Sequence, residues 1–256
     1  MIKISAVIIT HNVGDTIGRT LGSLDFCDEI VVADSGSTDA TLSLCEKYKC
    51  RVFNRPFDGF GPYKRFAVSV AGNDWVFSID ADEVVSEELK QEIVSLFSAG
   101  SPAAQGYYIP RSLVFLGRLL RFGGEYKKKQ LRLFNRNAGT FDDEKVHEKV
   151  CLPGKTGSLK GQLLHYSYGS ISDYFEKFNK YTTAAAQSLL EKEKTVSALG
   201  AIARFPLTFI KIYLIKGCIL DGYAGFVWAL FSAMYPFVKY VKLLERRHSG
   251  ALIPKI

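Results

Sequence analysis

Three carboxylates, Asp80, Asp82 and Glu83, directly follow an apolar stretch at positions 75–79. The stretch is rich in aromatic and β-branched residues, which is typical of a buried strand. Open α/β sheets bind their ligands at the carboxyl ends of such strands. Asp80 and Asp82 are two residues apart, so both can face one divalent cation and the phosphates it carries. The alternative is that these acids only cap a helix predicted to begin near Ser86.

Two earlier apolar runs also end in polar side chains. The strand predicted at positions 4–9 is followed by Thr10 and Asn12, and the strand predicted at 29–33 is followed by Asp34. Carboxyl ends of neighbouring parallel strands share one edge of a sheet. We therefore expect these polar side chains to lie near the carboxylates after position 79.

The order of elements predicts an α/β fold. Short apolar strands alternate with amphipathic helices through the first hundred residues, with further strands at 51–54 and 75–80. This alternation is typical of a parallel sheet with right-handed crossovers. The G-x-G-x-x-G turn of dinucleotide-binding folds is missing after the first strand, which argues against NAD or FAD.

The pattern changes after the first hundred residues. Strand-like segments without long helices between them occupy positions 106–168, and Ser170 or Ser172 is placed to cap a long helix ending near Lys194. We predict a domain over 1–195, with a nucleotide-binding half at 1–100 and an acceptor-side half at 101–170. Residues 196–256 are predicted to form a separate helical extension.

Composition and net charge limit the classes of molecule that the protein could bind. The chain has 256 residues, of which 47% are hydrophobic and 23% charged, so it is a globular protein rather than a disordered one. The net charge of +7 favours an anionic partner: phosphates, nucleic acid or a membrane surface. No nucleic-acid-binding motif is visible. Five scattered cysteines form neither a paired framework nor a zinc spacing, which predicts reduced thiols in a cytoplasmic protein.

The last sixty residues are apolar and basic. Positions 202–215 carry a narrow polar stripe, and positions 223–238 carry no charge and are flanked by Lys216 and Lys239. The second run is short of the ~20 residues that cross a bilayer, and Pro236 interrupts it. This pattern favours a segment lying in the interface of an anionic membrane, or a re-entrant hairpin. A buried helical pair, an oligomer face and a single membrane span are the alternatives.

Taken in order, three motifs carry a family resemblance. Val7-Ile-Ile-Thr-His-Asn12, Val31-Val-Ala-Asp-Ser-Gly-Ser-Thr-Asp-Ala-Thr41 and the stretch from Asp74 to Asp80-Ala-Asp-Glu83 resemble glycosyltransferase family 2 over roughly the first 170 residues. Within that family, the narrower resemblance is to bacterial lipopolysaccharide-core β-glucosyltransferases. It is carried by the D-A-D-E sequence, the later Val146-His-Glu148 and the apolar basic tail. The resemblance implies a GT-A (Rossmann-like) nucleotide-binding core with a mixed central sheet, plus the C-terminal apolar and basic helical extension.

The resemblance also implies the donor site. Thr10 and Asn12 would line the base and ribose pocket, and Asp34 would accept hydrogen bonds from the nucleobase or ribose, its alternative role being a turn carboxylate. Lys64 would reach the nucleotide unless it is a solvated helix residue. Asp80 would face the ribose and a Mg²⁺ or Mn²⁺ ion.

The family resemblance also implies the ligands of the metal ion. Asp82 would bind the cation directly, and His165 lies where many GT-A enzymes place a late histidine ligand, although a core histidine is the alternative. No tight Lys/Arg clamp on the diphosphate is evident in the sequence, so we expect the cation to compensate the charge of the leaving group.

An inverting transfer also needs a base. Glu148 is the candidate, in the place of the family's late acidic motif, and the fallbacks are Asp142, Asp143 and Glu144. His147 would orient the acceptor or be a surface histidine. Gln130 and Arg132, in a Q-x-R-L stretch, would contact the acceptor or the diphosphate.

The resulting hypothesis is a metal-assisted inverting glycosyltransferase at the cytoplasmic face of the inner membrane, peripheral or monotopic. It would move a hexose, with UDP-glucose the favoured donor, onto a lipid-linked or phosphorylated glycan such as lipopolysaccharide core. Alternatives are another cell-envelope polysaccharide pathway, a sugar nucleotidyltransferase and a non-catalytic membrane-docking module. A homo-oligomer is compatible with the sequence.

Overall fold

The computed structural model describes residues 3–144 and 148–251, with the side chains of 248–251 left aside. His147 therefore lies outside the described residues. The chain divides into two compact units. Unit 1 comprises Met1–Leu113 and Lys127–Ser167, and unit 2 comprises Val114–Tyr126 and Tyr168–Ile256. The domain boundary predicted at residue 195 stays a prediction.

The predicted strands and helices occur in the predicted order, and a short strand at Glu83–Val85 that was not predicted precedes the helix at Glu87–Ser98. The strands are β1 (Ile4–Thr10), β2 (Glu29–Asp34), β3 (Arg51–Asn54), β4 (Trp75–Ser78), β5 (Glu83–Val85), β6 (Gly106–Phe115), β7 (Arg118–Leu119), β8 (Lys128–Asn135), β9 (Thr140–Phe141), β10 (Val150–Cys151), β11 (Thr156–Ser158) and β12 (Leu163–His165). The helices are α1 (Gly14–Gly22), α2 (Thr41–Lys47), α3 (Phe60–Ser69), α4 (Glu87–Ser98), α5 (Ile171–Glu191), α6 (Ala198–Ile210) and α7 (Gly222–Ala251), with a π-helical turn at Lys211–Ile215 and a 3₁₀ turn at Cys218–Asp221 between the last two.

Unit 1 is built on a mixed sheet in the order β3-β2-β1-β4-β8-β6-β12-β5. The pairs β3–β2, β2–β1 and β1–β4 are parallel, whereas β8 is antiparallel to both β4 and β6. Strand β12 then runs parallel to β6 and antiparallel to β5. The predicted α/β fold with a mixed central sheet is confirmed.

Both faces of the central strands are buried. In β4, Trp75 and Phe77 pack in one hydrophobic cluster while Val76 packs in the other, as the twofold alternation of a strand requires. Phe77 and Val76 are fully buried. A strand covered on both faces reads as a continuous apolar run, and its polar residues are confined to its end. This arrangement puts Asp80 and Asp82 beyond the carboxyl end of β4, a strand in the middle of the sheet.

Unit 2 is mainly helical. Ser170 caps α5, since its hydroxyl accepts a hydrogen bond from the backbone N–H of Asp173 at 3.0 Å. The segments Ala198–Ile215 and Cys218–Arg247 are long and apolar enough to cross a membrane by length and composition. The core helices of soluble proteins pass the same test, but they are mostly buried, whereas only 6% of the first segment is buried. The predicted helical extension is confirmed, and its exposed apolar surface is compatible with membrane association.

Candidate active site

Asp34, at the end of β2, is the centre of the first polar cluster. It is 1% exposed, and its Oδ1 accepts hydrogen bonds from the hydroxyls of Thr10 at 2.9 Å and Ser37 at 2.5 Å. Its Oδ2 accepts from the backbone N–H groups of Gly36 and Ser37, both at 2.8 Å. Burial by itself would raise the pKa of Asp34, but these hydrogen bonds outweigh it and lower the pKa. The turn-carboxylate role is therefore present in the structure, beside Thr10 as predicted.

Asn12 ties the loop after β1 to the loop after β2. Its backbone N–H donates to Ser37 Oγ at 2.8 Å, and its Oδ1 accepts from the backbone N–H of Thr38 at 2.8 Å. Asn12 has φ of 50°, a left-handed conformation that asparagine tolerates better than most residues. The side chains predicted to line the nucleotide pocket thus share one hydrogen-bonded loop pair.

Replacing Asp34 by asparagine is expected to destabilise unit 1 by about 1–3 kcal/mol near neutral pH, because the carboxylate accepts several buried hydrogen bonds. The folded-state pKa of Asp34 is lowered, so its contribution is present above the unfolded-state pKa of about 3.9 and is lost as the pH falls through the folded-state pKa. Urea unfolding should therefore show a difference between wild type and variant that shrinks in acid. The exposed Asp25→Asn substitution is the control, and an equal difference at both ends of the pH range would contradict the role given to Asp34.

Asp80, beyond the end of β4, is held between two buried cations. Its Oδ1 lies 2.9 Å from Lys64 Nζ on α3, and its Oδ2 lies 2.7 Å from an Arg132 nitrogen on β8. Lys64 and Arg132 are 7% and 5% exposed. Burial opposes ionisation of Asp80, but the charges of Arg132 and Lys64 outweigh it and hold its pKa well below the usual range.

These contacts correct two expectations. Lys64 is buried in the cluster rather than solvated on its helix. The helix-capping alternative for Asp80 and Asp82 is wrong as a complete account, since Ser86 caps α4 by accepting from the backbone N–H of Leu89 at 3.2 Å. Lys64 and Arg132 both lie beside Asp80 at the end of β4, although no tight Lys/Arg clamp on a diphosphate was evident in the sequence.

Glu83 also belongs to this cluster, although the sequence predicted no role for it in the site. It is fully buried, accepts from Arg132 at 3.0 Å and from the backbone N–H of Asp80 at 3.0 Å, and lies 3.7 Å from Arg111. Burial raises the pKa of Glu83, and the charge of Arg132 offsets only part of the rise. Glu83 therefore helps to hold Arg132 in place. The only sequence signal was its place in the acidic triplet.

Glu148, the candidate base, reaches the same cluster. Its Oε1 lies 2.8 Å from Lys64 Nζ, so Lys64 bridges Glu148 and Asp80. The approach of this segment to α3 requires a glycine at position 61, because a Cβ there would lie 2.4 Å from the carbonyl oxygen of Asp142. Gly61 also donates its N–H to the carbonyl of Glu144 at 3.1 Å.

The remaining acids of this segment point elsewhere. Asp143 is 79% exposed and pairs with Arg65 on the surface, and Asp142 accepts from the backbone N–H of Lys149. Neither contacts Lys64 or Asp80 among the contacts the described residues make. Glu144 is exposed. Among the described acids of this stretch, Glu148 is thus the carboxylate whose ion pair reaches the end of β4.

Asp82, which follows β4, and His165, which ends β12, lie together beside this cluster. His165 Nε2 at the end of β12 lies 3.2 Å from Asp82 Oδ2, and the backbone N–H of Tyr166 donates to the Asp82 carbonyl at 2.8 Å. Both side chains are partly exposed, so His165 is not a core residue.

The donor set fits a divalent cation that arrives with a diphosphate. Across residues 3–144 and 148–251, no three His, Cys, Asp or Glu side chains are arranged to hold a metal by themselves. Mg²⁺ and Mn²⁺ commonly take only one or two protein ligands in nucleotide sites, the phosphates and water supplying the rest. Asp82 and His165 meet that requirement, whereas both oxygens of Asp80 face cations.

Gln130 and Arg132 lie together on β8. Gln130 Oε1 accepts from Arg132 Nε at 3.0 Å, which leaves the Arg132 guanidinium edge to Asp80 and Glu83. Arg132 therefore belongs to the carboxylate cluster, and Gln130 orients it. No contact in the described part of the chain assigns either residue to an acceptor.

An α/β core with a mixed sheet, and acids and cations gathered at the ends of its strands, is the architecture of nucleotide-sugar transferases. The Glycosyl transferase family 2 profile matches residues 5–150. The chain belongs to glycosyltransferase family 2, has the GT-A fold and is an enzyme of that family. This assignment excludes the nucleotidyltransferase and non-catalytic alternatives.

Relatives along the whole chain include the lipopolysaccharide core biosynthesis glycosyltransferase LpsC of Rhizobium meliloti. It is 31% identical over 96% of this chain and 93% of its own length. Among solved structures, residues 1–349 of S. aureus TarS in complex with UDP match with a TM-score of 0.49 and 17% identity, over 97% of this chain and 92% of that one. Glucosyl-3-phosphoglycerate synthase from Mycobacterium tuberculosis, solved with Mn²⁺ and UDP, matches with a TM-score of 0.35 and 24% identity, over 44% of each chain.

Proposed function

We propose that the protein is an inverting hexosyltransferase that moves glucose from UDP-glucose onto a lipid-linked glycan of the lipopolysaccharide core. The observation that carries this proposal is the convergence of Asp80, Lys64, Arg132 and Glu148 at the end of β4. The relationship to LpsC over almost the whole chain supports the lipopolysaccharide core as the acceptor. Transfer to another cell-envelope glycan is the second candidate, since family membership alone is compatible with it.

The donor would lie across the ends of β1, β2 and β4. Thr10, Asn12 and Asp34 form the loop pair on the nucleoside side, where a carboxylate accepts hydrogen bonds from a base or ribose edge. Lys64 and Arg132 supply the positive charge beside the diphosphate. Asp80 would stay paired with both cations while diphosphate oxygens contact their remaining N–H groups, so no buried charge is left alone.

A bound Mg²⁺ or Mn²⁺ would supply Lewis-acid stabilisation of the negative charge that develops on the departing diphosphate. Asp82 and His165 would hold it, and the partial exposure of both side chains leaves room for phosphate oxygens. Asp80 keeps Lys64 and Arg132 in place beside it.

Glu148 would act as the base. The acceptor hydroxyl oxygen forms a bond to the anomeric carbon as the bond from that carbon to the diphosphate oxygen breaks, and the hydroxyl proton passes to a Glu148 carboxylate oxygen. In the structure Glu148 is paired with Lys64 at 2.8 Å. When the diphosphate draws Lys64 away, Glu148 becomes free to accept the proton, so donor binding would precede activation of the acceptor.

The acceptor would enter from the side of Glu148. His147 and Gln130 are its proposed contacts, and the lysines at 127–129 suit a phosphorylated glycan. A lipid-linked acceptor places the reaction at the cytoplasmic face of the inner membrane, with the protein bound peripherally or monotopically.

The proposal is tested with purified protein, Mn²⁺ and UDP-glucose. We expect UDP-glucose binding by calorimetry, slow release of UDP without acceptor, and transfer of labelled glucose to core-truncated lipopolysaccharide. UDP-N-acetylglucosamine and GDP-mannose serve as competing donors. Failure to bind any UDP-sugar would overturn the proposal, and transfer to a different envelope glycan would move it to the second candidate.

A further inference from the structure

Helix α6 exposes a continuous apolar face. Leu199, Leu207, Ile210 and Leu214 are 76%, 66%, 47% and 55% exposed, and their spacing places them on one side of the helix and the turn that continues it. Single exposed leucines are ordinary, but a contiguous stripe of them on a soluble surface marks an interaction site.

The opposite face of α6 is already used. Ala201 is buried, and Phe205 and Phe209 lie against Phe237 and Phe226 of α7, with ring centroids 6.4 and 5.9 Å apart. Helix α6 is therefore anchored along one side, and the exposed stripe is not a surface that α7 covers.

The apolar surface continues past α6. Ile215, Leu220 and Tyr223 are 78%, 67% and 76% exposed, so the surface runs from α6 through the two short turns to the start of α7. We call this surface, defined by Leu199, Leu207, Ile210, Leu214, Ile215, Leu220 and Tyr223, the α6 apolar face.

The charges around the α6 apolar face have one sign. Between residues 198 and 226 the cationic residues are Arg204, Lys211 and Lys216, and the single acid is Asp221. Asp221 is 4% exposed and accepts hydrogen bonds from backbone N–H groups at Arg121 and Phe122, so it does not offset the exposed positive charge. Apolar residues bordered by cations are the pattern of a helix lying in an anionic membrane interface.

We propose that the α6 apolar face docks unit 2 onto the surface of an anionic phospholipid bilayer, with α6 lying in the membrane plane. A transmembrane placement is disfavoured because Arg204 and Lys211 would enter the hydrocarbon region, where charged side chains are costly. A symmetric dimer through this face would bring the same cations of two copies together.

This inference deepens the proposed function by assigning the membrane contact to particular residues, and it rests on that function only for its biological purpose. Its test is flotation of the full chain with vesicles of phosphatidylglycerol and phosphatidylcholine, compared with pure phosphatidylcholine. We expect binding to the anionic vesicles that weakens with salt, and a loss of on the order of tenfold or more in Leu207→Glu/Leu214→Glu, since that variant puts two acids on the docking face.

The matched control is Leu42→Glu/Val94→Glu, which adds the same charge at exposed apolar positions of unit 1. It should bind vesicles almost as the wild type does. The milder Leu207→Ser/Leu214→Ser variant guards against misfolding, and circular dichroism with UDP binding checks the fold of each variant.

Unchanged flotation of both α6 variants would overturn the inference. So would a wild-type dimer that binds no vesicles and becomes monomeric in the α6 variants, because the face would then join two copies of the chain. UDP release from UDP-glucose in vesicle-free solution should be the same in wild type and α6 variants. Loss of vesicle binding with that activity intact separates failure of docking from failure of the proposed function.

Discussion

Replacement of Asp82 by alanine is expected to reduce turnover by on the order of 10³-fold or more while the protein stays folded. Asp82 is partly exposed and its side chain contacts His165 alone among the hydrogen bonds and ion pairs of the described residues, so its removal leaves no buried charge unpaired. The lost function would be stabilisation of the leaving diphosphate through the metal. Turnover should be measured by UDP release across a titration of Mn²⁺.

Two further variants test whether the loss of turnover is specific to the metal site. Asp25→Ala removes an exposed carboxylate from the same unit, whose partner is the surface residue Lys90, and should leave turnover unchanged. His165→Ala should also weaken the response to Mn²⁺, and the double variant with Asp82→Ala should be far from additive if both hold one ion. A near-normal rate for Asp82→Ala would remove the metal role from this residue.

Glu148→Gln is expected to lower kcat for glycosyl transfer by about 10²- to 10⁴-fold, the usual contribution of a positioned base. UDP-glucose binding should be largely retained, because the amide has nearly the shape of the carboxylate. The substitution removes the partner of Lys64 at 2.8 Å while Asp80 remains paired with it at 2.9 Å, so Lys64 stays compensated.

The control for Glu148 lies in the same acidic stretch. Asp143→Asn alters an exposed carboxylate that pairs with Arg65 on the surface, and it should transfer sugar at nearly the wild-type rate. If Asp143→Asn were the slow variant and Glu148→Gln the normal one, the base would be misassigned. Equal loss of donor binding and transfer in Glu148→Gln would instead make Glu148 part of the donor site.

Much of the α/β core was predictable because its information is local. The strands β1, β2 and β3 were predicted within one residue of their observed bounds, since apolar runs and the polar residues after them define a buried strand by composition. The ends of β1, β2 and β4 carried the family motifs, so the family and the side of the sheet that bears the site followed from the sequence as well.

The ion-pair network was not predictable. Arg132 and Asp80 are 52 residues apart in the chain, and Lys64 joins Asp80 to a glutamate much later in the sequence. Composition cannot distinguish a solvated lysine from a buried one, and it gave no reason to separate Glu83 from its acidic neighbours. Only the pairing of β8 beside β4 brings Arg132 to the strand tip.

By itself, the sequence determined the elements, the family and the residue types available for chemistry, because strand periodicity, turn residues and ordered motifs act over short distances. The tertiary structure decided which of these residues meet: Asp80 between Lys64 and Arg132, Glu148 on Lys64, and Asp82 with His165. It also decided which side of α6 packs and which stays exposed. The physical reason is that charge pairing and burial depend on distances in space, which sheet order and helix packing set.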